Sequence, residues 1–193
     1  MLQRDKMSEA EVSLRLAFYL VRHDLVDSDV AVAIDGAQVQ TAGAIHFPIE
    51  DFLQSSGCAA LTPGASWQGT YRMDAVRCVR IHSSSGQGDV VARLRTGHNL
   101  RVESKKGPLA RSKSSQEYPL LREAIGQLIT IAHVEPHDVL AVAVPKSPKF
   151  DELVRRWRHA PLIRQFGIRL LTVSRDGDVD GLTQLSESSP QQG

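Results

Sequence analysis

Hydrophobic positions along the chain change their spacing several times, and each change marks an element. Residues 8–23 (SEAEVSLRLAFYLVRH) carry Val12, Leu16, Tyr19 and Leu20 as a stripe at helical spacing, which predicts an amphipathic helix. Ser8 followed by Glu11 is a capping-box pattern for its start. DVAVAIDGAQV (29–39) reads as a short β-branched strand ended by a turn at Asp35–Gly36. Residues 46–57 read as a loop with a short helix, and 57–69, rich in Gly, Ala, Ser and Pro, as irregular.

From residue 70 the period shortens. TYRMDAVRCVRIH alternates loosely and predicts a strand over 70–82, followed by the flexible turn SSSGQG. DVVARLR (89–95), the tight turn Thr96-Gly97-His98-Asn99 and LRVES (100–104) predict a β-hairpin. A basic loop follows over 105–115. Residues 117–133 return to helical spacing, with Leu120, Leu121, Ala124, Ile125, Leu128, Ile129 and Ala132 on the buried face, Ser114 or Ser115 as cap and Pro119 in the first turn. DVLAVAVP (138–145) is apolar throughout, as a central strand covered on both faces requires. Residues 147–167 are helical and then irregular, IRLLTVS (168–174) is a further buried strand, and 186–193 form a polar, disordered tail. One α/β domain over residues 1–185 follows, with a central mixed sheet flanked by helices on both faces.

Composition changes little in this picture: 41% hydrophobic and 23% charged residues are ordinary for a globular chain. No apolar run reaches the roughly 20 residues that span a bilayer. Acids interrupt the N-terminal stretch and no signal-peptide pattern opens the chain, so a cytoplasmic protein without membrane contact is expected. Met7 is a second candidate start. Cys58 and Cys78 stand far apart in no zinc-ligand spacing, and a disulfide is not expected.

Charge distribution is more informative than the net +1. Between Val90 and Lys113 stand Arg93, Arg95, Arg101, Lys105, Lys106, Arg111 and Lys113 against one acid, Glu103. A local cationic patch can meet phosphates without a high overall pI. In the hairpin, the start of the first strand lies beside the end of the second, so Asp89 and Glu103 come together. Glu103 and Lys105, two apart on a strand, point the same way. Two hard carboxylates suit a divalent oxygen-seeking ion, Mg²⁺ or Mn²⁺. A lysine beside them orients water and stabilises developing negative charge. The Ser104 carbonyl, between the two side chains, is a further candidate metal ligand.

An Asp, a spacer, then Glu-X-Lys at the end of the next strand resembles the PD-(D/E)XK, or restriction-endonuclease-like, nuclease signature. Glu103-Ser104-Lys105 matches its (D/E)XK half and Asp89 its Asp, whereas Gly88 stands where the pattern has Pro. The resemblance covers about residues 8–175, with its specificity in 88–127. It implies a three-layer sandwich and Mg²⁺-dependent hydrolysis of nucleic acid, DNA above all, in prokaryotic defence or repair. It implies that Asp89, Glu103 and Ser104 hold the metal, that Lys105 assists the attacking water and that Gln127, on the following helix, supports the site. Glu9 or Glu11 matches the acid that an early helix often supplies. Lys106, Arg111 and Lys113 are candidate phosphate contacts. Target choice would come from residues 36–69, from a homodimer or from a partner protein.

Other residues carry plainer readings. Asp74 is the second choice for the metal aspartate and is more simply a polar strand residue. The seven histidines form no HxH or HExxH spacing. Trp67 and Trp157 read as packing residues, and Arg155-Arg156-Trp157-Arg158-His159 as a solvated helix face. The same scaffold without catalysis, as a nucleic-acid-binding or assembly subunit, is the alternative function. A protein-interaction domain is a weaker third.

Overall fold

Helix and strand positions follow from the side chains that each segment can bury. The computed structural model describes residues 4–61, 66–84, 86–110 and 116–182. In chain order the elements are β1 (Lys6–Met7), α1 (Glu9–Arg22), β2 (Val30–Ala33), α2 (Gly36–Val39), β3 (Gln40–Thr41), β4 (Ala44–Ile45), α3 (Ile49–Ser55), β5 (Ala59–Ala60), β6 (Gly69–Arg72), β7 (Cys78–His82), β8 (Val90–Arg93), β9 (Asn99–Ser104), β10 (Gly107–Pro108), α4 (Glu117–Ile129), β11 (Val139–Pro145), α5 (Pro148–Trp157), α6 (Pro161–Gln165), β12 (Arg169–Val173) and β13 (Val179–Asp180).

One large mixed sheet has the order β13-β12-β11-β9-β8-β2-β7-β6-β5. β9, β11 and β12 run parallel, as do β2 and β7, while β8 is antiparallel to both β9 and β2. β1 pairs with β10, which ties the start of α1 to the segment after β9. This is a mixed α/β architecture with helices on both sheet faces.

On one face, Val12, Leu16 and Leu20 of α1 pack with Val30, Val32, Val79, Ile81, Val90, Leu100, Val102 and Ala141. On the other, Leu121, Ala124 and Leu128 of α4 join Phe150 and Leu153 of α5 over Val142, Val144 and Leu170. Strand alternation assigns residues to these two cores. Leu100 and Val102 belong to the α1 side, so Asn99, Arg101 and Glu103 face the α4 side.

Several sequence expectations change. Asp35–Gly36 does end the β2 strand, and a short helix starts there: the Asp35 side chain accepts from Ala37 N–H at 2.9 Å and caps α2. The strand expected over 70–82 is two strands, because Asp74 accepts from the N–H groups of Val76 and Arg77 at 2.8 and 2.7 Å and turns the chain between β6 and β7. The basic loop contains β10, and a second short helix, α6, follows α5. On α4, Ile129 and Ala132 fall outside the buried stripe, and Ile129 is 58% exposed. Ser114, Ser115 and the tail over 186–193 lie outside the described residues; α4 begins after Gln116, which makes no side-chain cap bond. Ser8 does cap α1, accepting from Glu11 N–H at 3.0 Å. Both cysteines are free. Among the described residues, no helix is long and apolar enough to cross a membrane.

Candidate functional site

The hairpin of β8 and β9 puts its paired ends at Val90 and Val102. Asp89 and Glu103 come one step beyond, at the place where the ladder stops. Asp89 donates its N–H to the Val102 carbonyl at 2.7 Å, and its carbonyl accepts from Ala33 N–H of β2 at 2.8 Å. Its carboxylate accepts from Ser104 N–H at 2.7 Å. Two neighbouring strands, β9 and β2, therefore fix this one residue.

Gly88 explains the departure from the proline of the family pattern. Its φ is +101°, and a Cβ there would lie 3.0 Å from the Val102 carbonyl oxygen. Proline holds φ near −65° and cannot adopt that conformation.

The Glu103 carboxylate is raised above its usual range by burial and by Glu9, against the opposing pull of Lys105. Asp89 is pushed up to about 7, chiefly by burial, then by the charges of Glu103 and Glu9, which outweigh the Ser104 N–H bond and Lys105. Isolated carboxyls ionise near pH 4. The pair is thus short of positive charge.

Lys105 is 5% exposed, and its N–H bonds the Ala143 carbonyl of β11 at 2.9 Å. Its ammonium lies 3.3 Å from Glu123 of α4 and 3.6 Å from Glu9 of α1. Glu9 also accepts from the Gln38 amide at 3.0 Å. Four carboxylates, Asp89, Glu103, Glu9 and Glu123, thereby share one ammonium. Glu123 and Gln38 were not among the sequence candidates. Glu123 stands one helical turn before Gln127, a spacing that marks one helix face; Gln38 carries no such signal.

A cavity of about 970 Å³ opens here, lined by Glu9, Gln38, His46, Lys105, Lys106, Glu123 and Gln127 among others. Asp89 and Glu103, both half-buried, are not among the side chains that line it. Gln127 and Lys106 are exposed at its rim. Arg111 and Lys113 lie outside the described residues.

The early-helix acids separate cleanly. Glu9 faces Lys105, whereas Glu11 is buried and bound by Arg15 and Arg175. Asp74 is a turn residue held by Arg77, and its carboxyl sits at about 2, mainly through the N–H bonds of Arg77 and Val76. Trp157 packs edge-on against Tyr118 with ring centroids 5.2 Å apart.

Among the described residues, no three His, Cys, Asp or Glu side chains close into a finished metal cage. The candidate donors are of another kind: two carboxylates, Asp89 and Glu103, and the backbone carbonyl of Ser104. Those hard oxygens suit Mg²⁺ or Mn²⁺, and a divalent ion would offset the excess negative charge. No protein-family model, curated protein or solved structure matches the chain.

Proposed function

We propose that this protein is a metal-dependent phosphodiesterase acting on nucleic acid, of the PD-(D/E)XK type, with Asp89, Glu103 and Lys105 at its centre. The observation that carries the reading is the excess of buried negative charge at the hairpin end, expressed in the Asp89 carboxyl held at about 7 beside Glu103. A fold maintains like charges at close range at a cost, and functional sites are where such arrangements concentrate. The element order supports the family reading: α1 before the hairpin and α4 after it bring Glu9 and Glu123 to Lys105.

Asp89, Glu103 and the Ser104 carbonyl would hold Mg²⁺ or Mn²⁺, which would supply Lewis-acid polarisation of a phosphate oxygen and of the attacking water. Ser104 N–H keeps the Asp89 carboxylate oriented. Lys105 offers its ammonium to the charge that develops on the phosphate, and Glu9 and Glu123 hold that ammonium in place. Gln127 and Lys106 at the cavity rim would meet the substrate.

Calorimetric titration with Mn²⁺ tests the metal site. Binding by the wild type that disappears in Asp89→Ala is expected. No binding by the wild type, with nucleic acid still bound, would favour the non-catalytic binding subunit instead.

A further inference from the structure

The face of the sheet that carries α4 and α5 is covered only over β9, β11 and β12. On β6, β7, β2 and β8 the same face is open among the described residues. Its register rows read Thr70–Arg80–Ala31–Val91 and His82–Ala33, the second row continuing to Asp89 through the Ala33 N–H bond. Each of these residues is half-buried except Arg80, which is exposed. Arg72 and Arg93 are exposed on the same face. The valines of β2 all point into the α1-side core.

Two features separate this surface from an ordinary solvated sheet face. Its centre is floored by Ala31 and Ala33, although alanine is a poor strand residue and gains nothing there from burial. Side chains this small let an extended ligand approach the sheet closely. Two of its arginines also lack an acidic partner: among the described residues, Arg72 and Arg80 meet no carboxylate, and Arg93 contacts only the Asn99 side-chain oxygen, at 3.3 Å. By contrast Arg77, Arg95, Arg101 and Arg158 are all spent on aspartates. Asp138 borders the Arg93 end of the face through Asn99, and Asp29 and Asp74 lie near Cys78 at its other edge; Asp89 and Glu103 stand where the face meets the hairpin end.

We infer that the open face of β6, β7, β2 and β8 binds a single strand of nucleic acid through its phosphates and leads it to Asp89 and Glu103. The inference rests on the proposed hydrolytic site and names the surface that feeds it. Arginine's planar fork matches phosphate geometry, and the sheet carries arginines on both sides of its alanine floor. Three strand spacings and a two-residue offset along β9 separate Arg80 from Glu103, about 16 Å, or roughly five nucleotides at the stacked rise. Among the described residues, the His82 imidazole is the one aromatic ring on this face, so affinity comes chiefly from the backbone and depends little on base sequence.

Fluorescence anisotropy with a short labelled single-stranded oligonucleotide of mixed sequence, in EDTA, tests the surface. The double variant Arg72→Ala/Arg80→Ala is expected to bind about tenfold more weakly and to lower the salt-dependence slope by about 1.4, the loss of two phosphate contacts. Arg72→Lys/Arg80→Lys restores most of the slope. Arg155→Ala/Arg156→Ala, on the exposed side of α5, leaves binding unchanged. Binding unaffected by loss of Arg72 and Arg80, binding lost in the α5 variant instead, or no binding by the wild type overturns the inference. Cleavage with Mn²⁺, scored separately in Glu103→Gln, distinguishes the two readings. Normal binding by the sheet variants with cleavage abolished in Glu103→Gln discards the surface and keeps the hydrolytic site. The reverse pattern discards the site.

Discussion

The Asp89 carboxylate accepts the Ser104 N–H at 2.7 Å, so the first residue of one hairpin strand closes the end of the other. A side-chain oxygen replaces the backbone acceptor that a longer β8 would supply. This bond aims one carboxylate oxygen inward and leaves the other for a ligand. Asp89→Asn keeps the acceptor and removes a charge whose burial is unfavourable; its stability is expected to match or exceed that of the wild type. Asp89→Ala leaves the Ser104 N–H without a partner and should cost about 1–3 kcal/mol. Urea unfolding of the two variants checks the contrast.

A pH dependence follows from the same group. Its folded-state pKa, about 7, lies above the unfolded value near 4. Between those values the folded state binds more protons, so stability falls as pH rises from about 4 to about 7. Metal-free protein should show this loss in thermal melts, and Asp89→Asn should show less of it. Added Mn²⁺ at alkaline pH should raise the melting temperature of the wild type and leave that of Asp89→Asn nearly unchanged. A metal-free stability that rises over this window contradicts the assignment.

Glu9 and Glu11 should separate by function. Glu11 is 1% exposed and binds Arg15 and Arg175, and Arg175 also donates to the Lys6 and Arg4 carbonyls at 2.7 and 3.1 Å. Glu11→Ala breaks that clamp and should destabilise by about 3 kcal/mol, leaving the folded fraction active. Glu9→Gln should change stability little and lower cleavage, since Glu9 faces Lys105. Denaturant midpoints and specific activities, measured together, decide this.

Gly88 is the backbone hinge of the site. Gly88→Ala places a Cβ against the Val102 carbonyl at a φ that L residues rarely adopt, for a cost of about 1–3 kcal/mol. Because the strain falls next to Asp89, Mn²⁺ affinity should drop as well. Unchanged stability and affinity would show that the turn relaxes freely.

Local patterns were legible in the sequence where one helix or strand decides them. The Ser8 cap and the α1 stripe needed only spacing, and the hairpin needed only Thr96–Asn99 between two alternating runs. From that hairpin the adjacency of Asp89 and Glu103 followed. The sheet order did not follow, because β2 finds its neighbours at β8 and β7, dozens of residues away, through register alone. Asp35–Gly36 marked where β2 ends, but a turn signal does not say whether the next segment pairs or coils, and α2 went unforeseen. Glu123 and Gln38 escaped notice because only tertiary packing brings them to Lys105 and Glu9. The Val-Ala-Val-Ala alternation of β2 was written in the chain, yet its meaning required knowing that no helix among the described residues covers the alanine side.

Cleavage itself bears most directly on the central claim. Labelled single- and double-stranded DNA and RNA would be incubated with wild type, Glu103→Gln and Lys105→Ala in Mg²⁺, in Mn²⁺ and in EDTA, with circular dichroism to show that each variant folds. Metal-dependent cleavage by the wild type is expected, with a loss of about 10²–10³-fold or more in each variant. Wild-type cleavage that persists in EDTA, variants that cut at the wild-type rate, or a folded wild type that cuts none of these substrates would contradict it.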